Sequence, residues 1–330
     1  MPMQEEGGVY LFVSVDMVNS TEFKSRERNW PFVLHHFYES VVGEMKRVCP
    51  RFNVWKYIGD EVAFWRDTHR EDNLAELIAG TNDALQAICA GLDSIESQKR
   101  YGIRTRHVVG AKATMWIASA HFVRDANIER DLEADYADDN RIIEEDHLVS
   151  FSDEGDGTVR KAYDFIGPDI DIGFRIAHFA QRGFLALSAN LACLVLRQAK
   201  LADPICEHMK IIDYQALKGV WGGRRYPVIW YCRNWATVAD KFYYDEEFDN
   251  PIVDAIRNGH RRIHDVGRIE KVLIEANRWP AIERACRATC RRSRSGRSRF
   301  GEDGCYWRVS PIAPGRSDGL LSDHRAGAQP

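Results

Sequence analysis

The sequence predicts an α+β fold: a mostly antiparallel sheet covered by helices, followed by a C-terminal helical tail. Two observations carry this. Strand-like and helix-like stretches follow one another as β-α-β-β-α-β, then α-β, then β-β, an order that suits helices covering one face of a largely antiparallel sheet. The runs FNVWKYI and EVAFW flank Gly59-Asp60, and a two-residue turn that begins with Gly suits the tight connection of an antiparallel hairpin.

Each element has its own local reason. Residues 9–16 (VYLFVSVD) are apolar enough on both faces for a central strand. The turn MVNST follows, where Ser20 or Thr21 can cap what comes next. Residues 30–48 carry apolar residues at helical spacing; Pro31 is tolerated in the first turn and Pro50 ends the helix. Residues 71–99 give a second amphipathic helix, and 103–118 (IRTRHVVGAKATMWIA) read as a long strand with basic residues in its first half. The stretch 121–160 is dense in acid and reads as a solvated surface insertion, partly helical. Order returns over 161–180, where Gly167-Pro168 starts a helix. Strands are expected at 184–187, 209–213 and 226–232, with the helical run LSANLACLVLRQAKLA among them. These boundaries place one domain over 8–235. Residues 236–289 read as a helical extension, and 290–330, rich in Arg, Ser and Gly, as a low-complexity tail without fixed structure.

Composition narrows the function classes. A chain of 330 residues, 45% hydrophobic and 28% charged, falls in the range of ordinary globular proteins with a real core. Its net charge of −4 argues against a dedicated nucleic-acid binder, so an anionic ligand needs a local basic cluster. The eight cysteines are scattered, unlike a secreted disulfide framework. Cys286 and Cys290 have no second pair at zinc spacing, so free thiols are expected. No apolar run is long enough to span a bilayer, and MPMQEEGG lacks the features of a signal peptide, so the expected compartment is the cytoplasm.

Two carboxylates stand out by position. Asp16 closes the apolar run VYLFVSV, and Asp60 sits in the Gly-Asp turn of the hairpin. Either alone reads as a turn or cap residue. Together, at strand ends and beside a Ser/Thr turn, they suggest a site for a divalent ion and a phosphate.

These stretches resemble the class III nucleotidyl (adenylyl/guanylyl) cyclase family, whose hallmark is F-x-D-(I/V)-x-(G/N)-(S/F)-T followed by K-x-I-G-D. Both halves recur in order, the first in part in FVSVDMVNST through Asp16, Asn19, Ser20 and Thr21, the second in full in KYIGD. The family's later Y-D-x-x-G-x-x-V-N-x-A-x-R is matched by YDFIGPDIDIGFR, through Tyr163, Asp164, Gly167 and Arg175, with Asp171 where the family has Asn. Its V-K-G-K-G segment is matched in part by LKGVWGG, where Lys218 and Gly219 fit and the second lysine does not. The KYIGD form is most similar to the bacterial Pycsar pyrimidine (uridylate) cyclases of anti-phage defence.

The resemblance covers about residues 8–232 and implies cyclisation of a nucleoside triphosphate, most simply UTP to 3′,5′-cyclic UMP plus pyrophosphate. It implies two divalent ions, Mn²⁺ or Mg²⁺, held by Asp16, Asp60 and the backbone carbonyl of Met17, with the amides of the 17–21 turn facing the phosphates. It gives Arg175 to the α-phosphate, Lys218 to the terminal phosphates, and Lys56 and Asp164 to the base. Asp171 departs from the pattern, because an ionised Asp cannot donate a hydrogen bond to the ribose ring oxygen. Three alternatives stand for it: accepting one from a ribose hydroxyl, being protonated, or having lost the role. The family further implies a homodimer with sites at its interface and a separate effector activated by the cyclic nucleotide. It implies no nucleic acid and no membrane partner.

Donor and acceptor polarity at Lys56 and Asp164 leaves the base open, since uracil, guanine, cytosine and adenine can each meet such a pair. Size is the other lever: Tyr57, with Arg104 or Arg106 on the adjacent strand, could narrow the pocket to one ring. Strand alternation, however, puts Lys56 and Tyr57 on opposite faces. Purine and CTP cyclases remain alternatives, as does a degenerate cyclase fold used for nucleotide binding or dimerisation.

Overall fold

A computed structural model describes residues 8–68, 72–94, 99, 105, 108–122, 140–147, 160–198, 205–220, 223, 225–233 and 235. The expected C-terminal extension and tail lie outside these residues, as do the pairs Arg104/Arg106 and Cys286/Cys290. The chain runs β1 (Gly8–Val18), α1 (Ser20–Arg26), α2 (Trp30–Val48), β2 (Asn53–Ile58), β3 (Glu61–Asp67), α3 (Leu74–Asp93), β4 (Gly110–Phe122), β5 (Asn140–His147) and β6 (Arg160–Ile166). It continues with α4 (Pro168–Ala177), β7 (Leu185–Leu187), α5 (Ala189–Gln198), the short α6 (Ile205–His208), β8 (Met209–Ala216) and β9 (Arg225–Tyr231).

The strands form one mixed sheet in the order β2-β3-β1-β4-β7-β9-β8. β1 lies between β3 and β4, antiparallel to both, which accounts for its apolar composition. The far edge of β4 is shared by β7 and β5, both parallel to it, so the sheet is less uniformly antiparallel than the sequence suggests.

Strand alternation on β1 divides the core in two. Val9, Leu11, Val13, Val15 and Met17 pack in the larger core with α2 and α3. Tyr10 and Phe12 face the other way, against Trp116, Phe165 and Ile170. Helix α4 packs against this second face through Ile170 and Phe174, while its Ile172 and Ile176 belong to the larger core.

Its seat is Gly173. A Cβ placed there would stand 2.2 Å from the Trp116 ring, so only glycine lets the helix backbone approach the indole.

Two expectations are corrected by the structure. Residues 140–147, inside the expected acidic insertion, are strand β5, whose Ile142 is fully buried; the rest of the insertion lies outside the described residues. β4 starts at Gly110, not 103, because Val108 and Val109 both donate to the Thr105 carbonyl and turn the chain first. The element expected after the MVNST turn is helix α1, only seven residues long, which buries Phe23 as its one large apolar anchor, too little to set a period. Cys49, Cys89, Cys193 and Cys232 are buried thiols.

Replacing Gly173 by Ala tests the α4 contact. Helix propensity favours Ala by about 1 kcal/mol, but overpacking typically costs about 1–3 kcal/mol. With a 2.2 Å approach to correct, net destabilisation is expected in a denaturant melt; unchanged or raised stability would show that α4 is not seated on Trp116.

Candidate active site

Asp16 is placed by register. It lies opposite Glu61 on β3 and opposite Lys112 on β4, so the three side chains form one row across the sheet. The row continues the Tyr10–Phe12–Ser14 face, which turns from apolar to polar toward the end of β1. Lys112 Nζ stands 3.2 Å from Asp16 Oδ2.

Asp60 is placed by the hairpin turn. Gly59 takes φ +63°, the sign that a Gly-first two-residue turn requires. The Tyr38 hydroxyl of α2 donates to the Gly59 carbonyl, and the Met17 N–H donates to the Asp60 carbonyl at 3.1 Å. These two bonds fix the turn against the end of β1. The Asp60 carboxylate then accepts from the Ser20 hydroxyl and from Lys24 Nζ at 3.2 Å. Ser20, offered by its sequence position as a cap, serves Asp60 instead, and Asn19 precedes the helix in a left-handed conformation at φ +61°.

The two aspartates titrate in opposite directions. Burial raises the Asp16 carboxyl above its ordinary 3.8, Lys112 opposes this, and the neighbouring Asp60 charge adds to it. For Asp60 burial is again the largest influence, but the Ser20 and Lys24 hydrogen bonds and the Lys24 charge together outweigh it and hold the carboxyl low. Glu61, which the sequence reading did not single out, is raised from 4.5 by burial and by Asp16, while the Ser14 hydroxyl bonded to it opposes the rise. Three mutually repelling carboxylates with two ammonium groups leave unbalanced negative charge on this face.

A second group assembles on the same face. β2 carries a bulge between Val54 and Lys56, with Lys56 opposite Ala63 and Ala63 opposite Ser14. The extra residue, Trp55, therefore points to the same side as Lys56. There both meet Asp164 of β6: Lys56 Nζ is 2.7 Å and Trp55 Nε1 3.1 Å from Oδ1. The ammonium also lies 4.2 Å from the centre of the Trp55 ring. Lys56 and Asp164, 108 residues apart, are thus brought together as a donor and acceptor pair. Tyr57 is not with them. It sits opposite Val62, half exposed, with its ring 5.1 Å from that of Tyr38 on the α2 side. Within its own chain it does not wall the Lys56–Asp164 site, as alternation requires.

A third group comes from α4 and the loop after β8. Asp171 is exposed on the first turn of α4. Arg175, one helical turn on, lies beside the Lys218–Gly219 loop: a Cβ on Gly219 would be 4.0 Å from Arg175 Nη2. Gly219 takes φ +72°, which exposes Lys218 at the bend. Neither Arg175 nor Lys218 forms an ion pair among the described residues.

The donor set suits a hard divalent ion. Asp16 and Asp60 supply oxygen only, the ligand type that such an ion takes. Among the described residues no group of three or more His, Cys, Asp or Glu is arranged to hold a metal by side chains alone. Any ion here needs further oxygens, from backbone or substrate. No helix among the described residues is long and apolar enough to cross a membrane.

No protein-family model matches the chain, and no curated protein matches it. Solved structures similar to it include the adenylyl cyclase CyaB from P. aeruginosa, at 12% identity over 70% of this chain and 95% of that one, TM-score 0.45. The guanylate cyclase domain of RhGC from Catenaria anguillulae, in complex with GTP, is 11% identical over 69% and 98%, TM-score 0.43. The guanylyl cyclase Cya2 is 12% identical over 69% and 93%, TM-score 0.43. At this distance the likenesses carry no argument about activity.

The electrostatics give a signed prediction for the metal-free protein. A group held low, such as Asp60, contributes stability above its ordinary pKa that is lost as pH falls through the folded value. Asp16, held high, acts oppositely and costs stability as pH rises above 3.8 through its raised value. Asp16→Asn removes that cost, so its stability relative to wild type should improve steadily across this rise in denaturant melts. A difference independent of pH would contradict the assigned coupling.

Proposed function

We propose that the chain is a nucleoside triphosphate cyclase of the class III kind. The observation that carries this reading is the meeting of Lys56 with Asp164 on the sheet face that also holds Asp16 and Asp60. A general carboxylate site would not need that distant ion pair.

In the proposed reaction the ribose 3′-oxygen attacks the α-phosphorus of the same nucleotide. The new O–P bond closes the ring, the α–β bridging bond breaks, the 3′-hydroxyl proton is lost and pyrophosphate leaves. Two divalent ions, Mn²⁺ or Mg²⁺, bound at Asp16, Asp60 and the Met17 carbonyl would lower the pKa of the 3′-hydroxyl and neutralise the triphosphate. Lys112 and Lys24, which now hold the two aspartates, would give way to that charge. Arg175 would stabilise the charge developing on the α-phosphate, and Lys218 beside it would bind the terminal phosphates. Asp171, exposed on the same helix, would accept from a ribose hydroxyl in place of the family's Asn.

Lys56 and Asp164 would read the base. Uracil presents an acceptor and a donor that such a pair can meet, and the KYIGD resemblance favours UTP and a cyclic UMP product. A role as second-messenger synthase in anti-phage defence, acting on a separate effector, follows from the same resemblance. The groups are proposed to act across a two-fold homodimer, with Asp16 and Asp60 of one chain facing Arg175 and Asp171 of the other. Exposed Tyr57 is then available to the partner's side of a site and not to its own.

Asp16→Ala and Asp60→Ala should each reduce cyclisation at least about a thousandfold while the protein stays folded, since each removes a ligand from the chemistry. Substantial turnover by either folded variant would remove the assigned site. Mixing inactive Asp16→Ala with inactive Arg175→Ala should restore about a quarter of wild-type activity, because about half the dimers are mixed and each has one intact site. Absence of recovery with demonstrated subunit exchange would place both groups in one chain.

A further inference from the structure

We propose that Trp55 is a specificity-determining residue, positioning Asp164 so that its Oδ2 oxygen faces the base edge. This rests on the reading of Lys56 and Asp164 as the base-facing pair. Three donors converge on Asp164 Oδ1: Trp55 Nε1 at 3.1 Å, Lys56 Nζ at 2.7 Å and the Phe165 N–H at 3.0 Å. None of the hydrogen bonds to this carboxylate among the described residues goes to Oδ2. Three donors on one oxygen restrict the rotation of the carboxylate and leave the lone pairs of Oδ2 as the ones open to a ligand donor.

The indole performs two tasks in this arrangement. Its N–H holds Oδ1, and its ring face lies 4.2 Å from the Lys56 ammonium. Lys56 is thereby held by the ring and by Oδ1 together, with N–H groups left over to donate outward. The indole is itself fixed among Phe12, Phe165 and Phe174, at ring-centre distances of 5.6, 5.3 and 5.9 Å. All of this depends on the β2 bulge, because consecutive strand residues without one would point to opposite faces. The ligand class that fits is a heterocyclic edge presenting an acceptor to Lys56 next to an N–H for Oδ2, as in the O4/N3–H edge of uracil or the O6/N1–H edge of guanine. Triphosphate binding does not involve this group. Loss of Trp55 should therefore act on the choice of base and leave the metal and phosphate contacts alone.

The test compares Trp55→Phe, which keeps an aryl face and loses the N–H, with wild type across the four nucleoside triphosphates. Trp55→Phe should raise KM for the preferred nucleotide about tenfold, the lower end of the worth of a hydrogen bond to a charged group, with kcat and the KM values of the other nucleotides changed far less. In an Asp164→Ala background the same substitution should have little further effect on the preference, because Trp55 acts through Asp164. Equal losses on all four nucleotides, or additive losses in the double variant, would overturn the proposal. Calorimetric titration with non-cyclisable triphosphate analogues separates this claim from the cyclase reading. Base-selective binding without cyclic product would sink the cyclase activity, and the affinity ratios would then decide for or against Trp55; no base-selective binding by wild type would overturn the Trp55 claim, while the product assay alone decides the cyclase reading. Should Trp55→Phe fail to fold, Asp164→Asn, which replaces the open acceptor oxygen by an amide, must shift the preference in the same assay or the proposal fails.

Discussion

The site depends on the register of β1 between β3 and β4. Because Asp16 pairs with Glu61 on one side and Lys112 on the other, a shift of one residue would send its carboxylate into the apolar core under α2 and α3. The large core therefore does more than stabilise the sheet. Val13, Val15 and Met17, buried on one face, hold Ser14 and Asp16 on the other. The hairpin then adds Asp60 through the Met17–Asp60 backbone bond, so the two aspartates are joined by main chain rather than by mobile side chains. Burial is unfavourable to the charges of Asp16 and Glu61, and Lys112 offsets only part of that cost, whereas Ser20 and Lys24 outweigh it at Asp60.

The second face of the sheet shows the same economy in a different form. Phe12, Trp55, Trp116, Phe165 and Phe174 make a contiguous aromatic layer. It supports the Lys56–Asp164 pair at one end and the seat of α4 at the other. Gly173 on Trp116 and the buried Asn140, which bonds the Ser119 carbonyl and Asp169, anchor α4 to β4. Arg175 projects from this anchored helix toward the Lys218 loop. The cationic groups and the carboxylates are therefore carried by separate elements, each fixed by its own packing.

Much of this was legible in the sequence, and the reasons for success and failure differ by residue. The hairpin and α2 were readable because Gly59-Asp60 and the 30–48 periodicity are local signals. The pairing of Lys56 with Asp164 was expected only through the family resemblance, since nothing local joins residues so far apart. The opposed faces of Lys56 and Tyr57 followed from alternation alone. Trp55 was missed because a bulge leaves no mark in a run such as FNVWKYI, and without it Trp55 belongs to the wrong face. Glu61 was passed over as an ordinary hairpin residue until register set it beside Asp16. β5 was hidden because its only deeply buried apolar side chain lies among acidic residues that dominate the composition.

The central claim is that this sheet face carries out an intramolecular phosphoryl transfer. Incubation of the purified protein with each of the four nucleoside triphosphates and Mn²⁺, followed by mass spectrometry and phosphorus NMR, tests it most directly. The account predicts a 3′,5′-cyclic monophosphate and pyrophosphate in equal amounts, with UTP preferred. Release of orthophosphate and a nucleoside diphosphate, or recovery of every nucleotide unchanged, would contradict it.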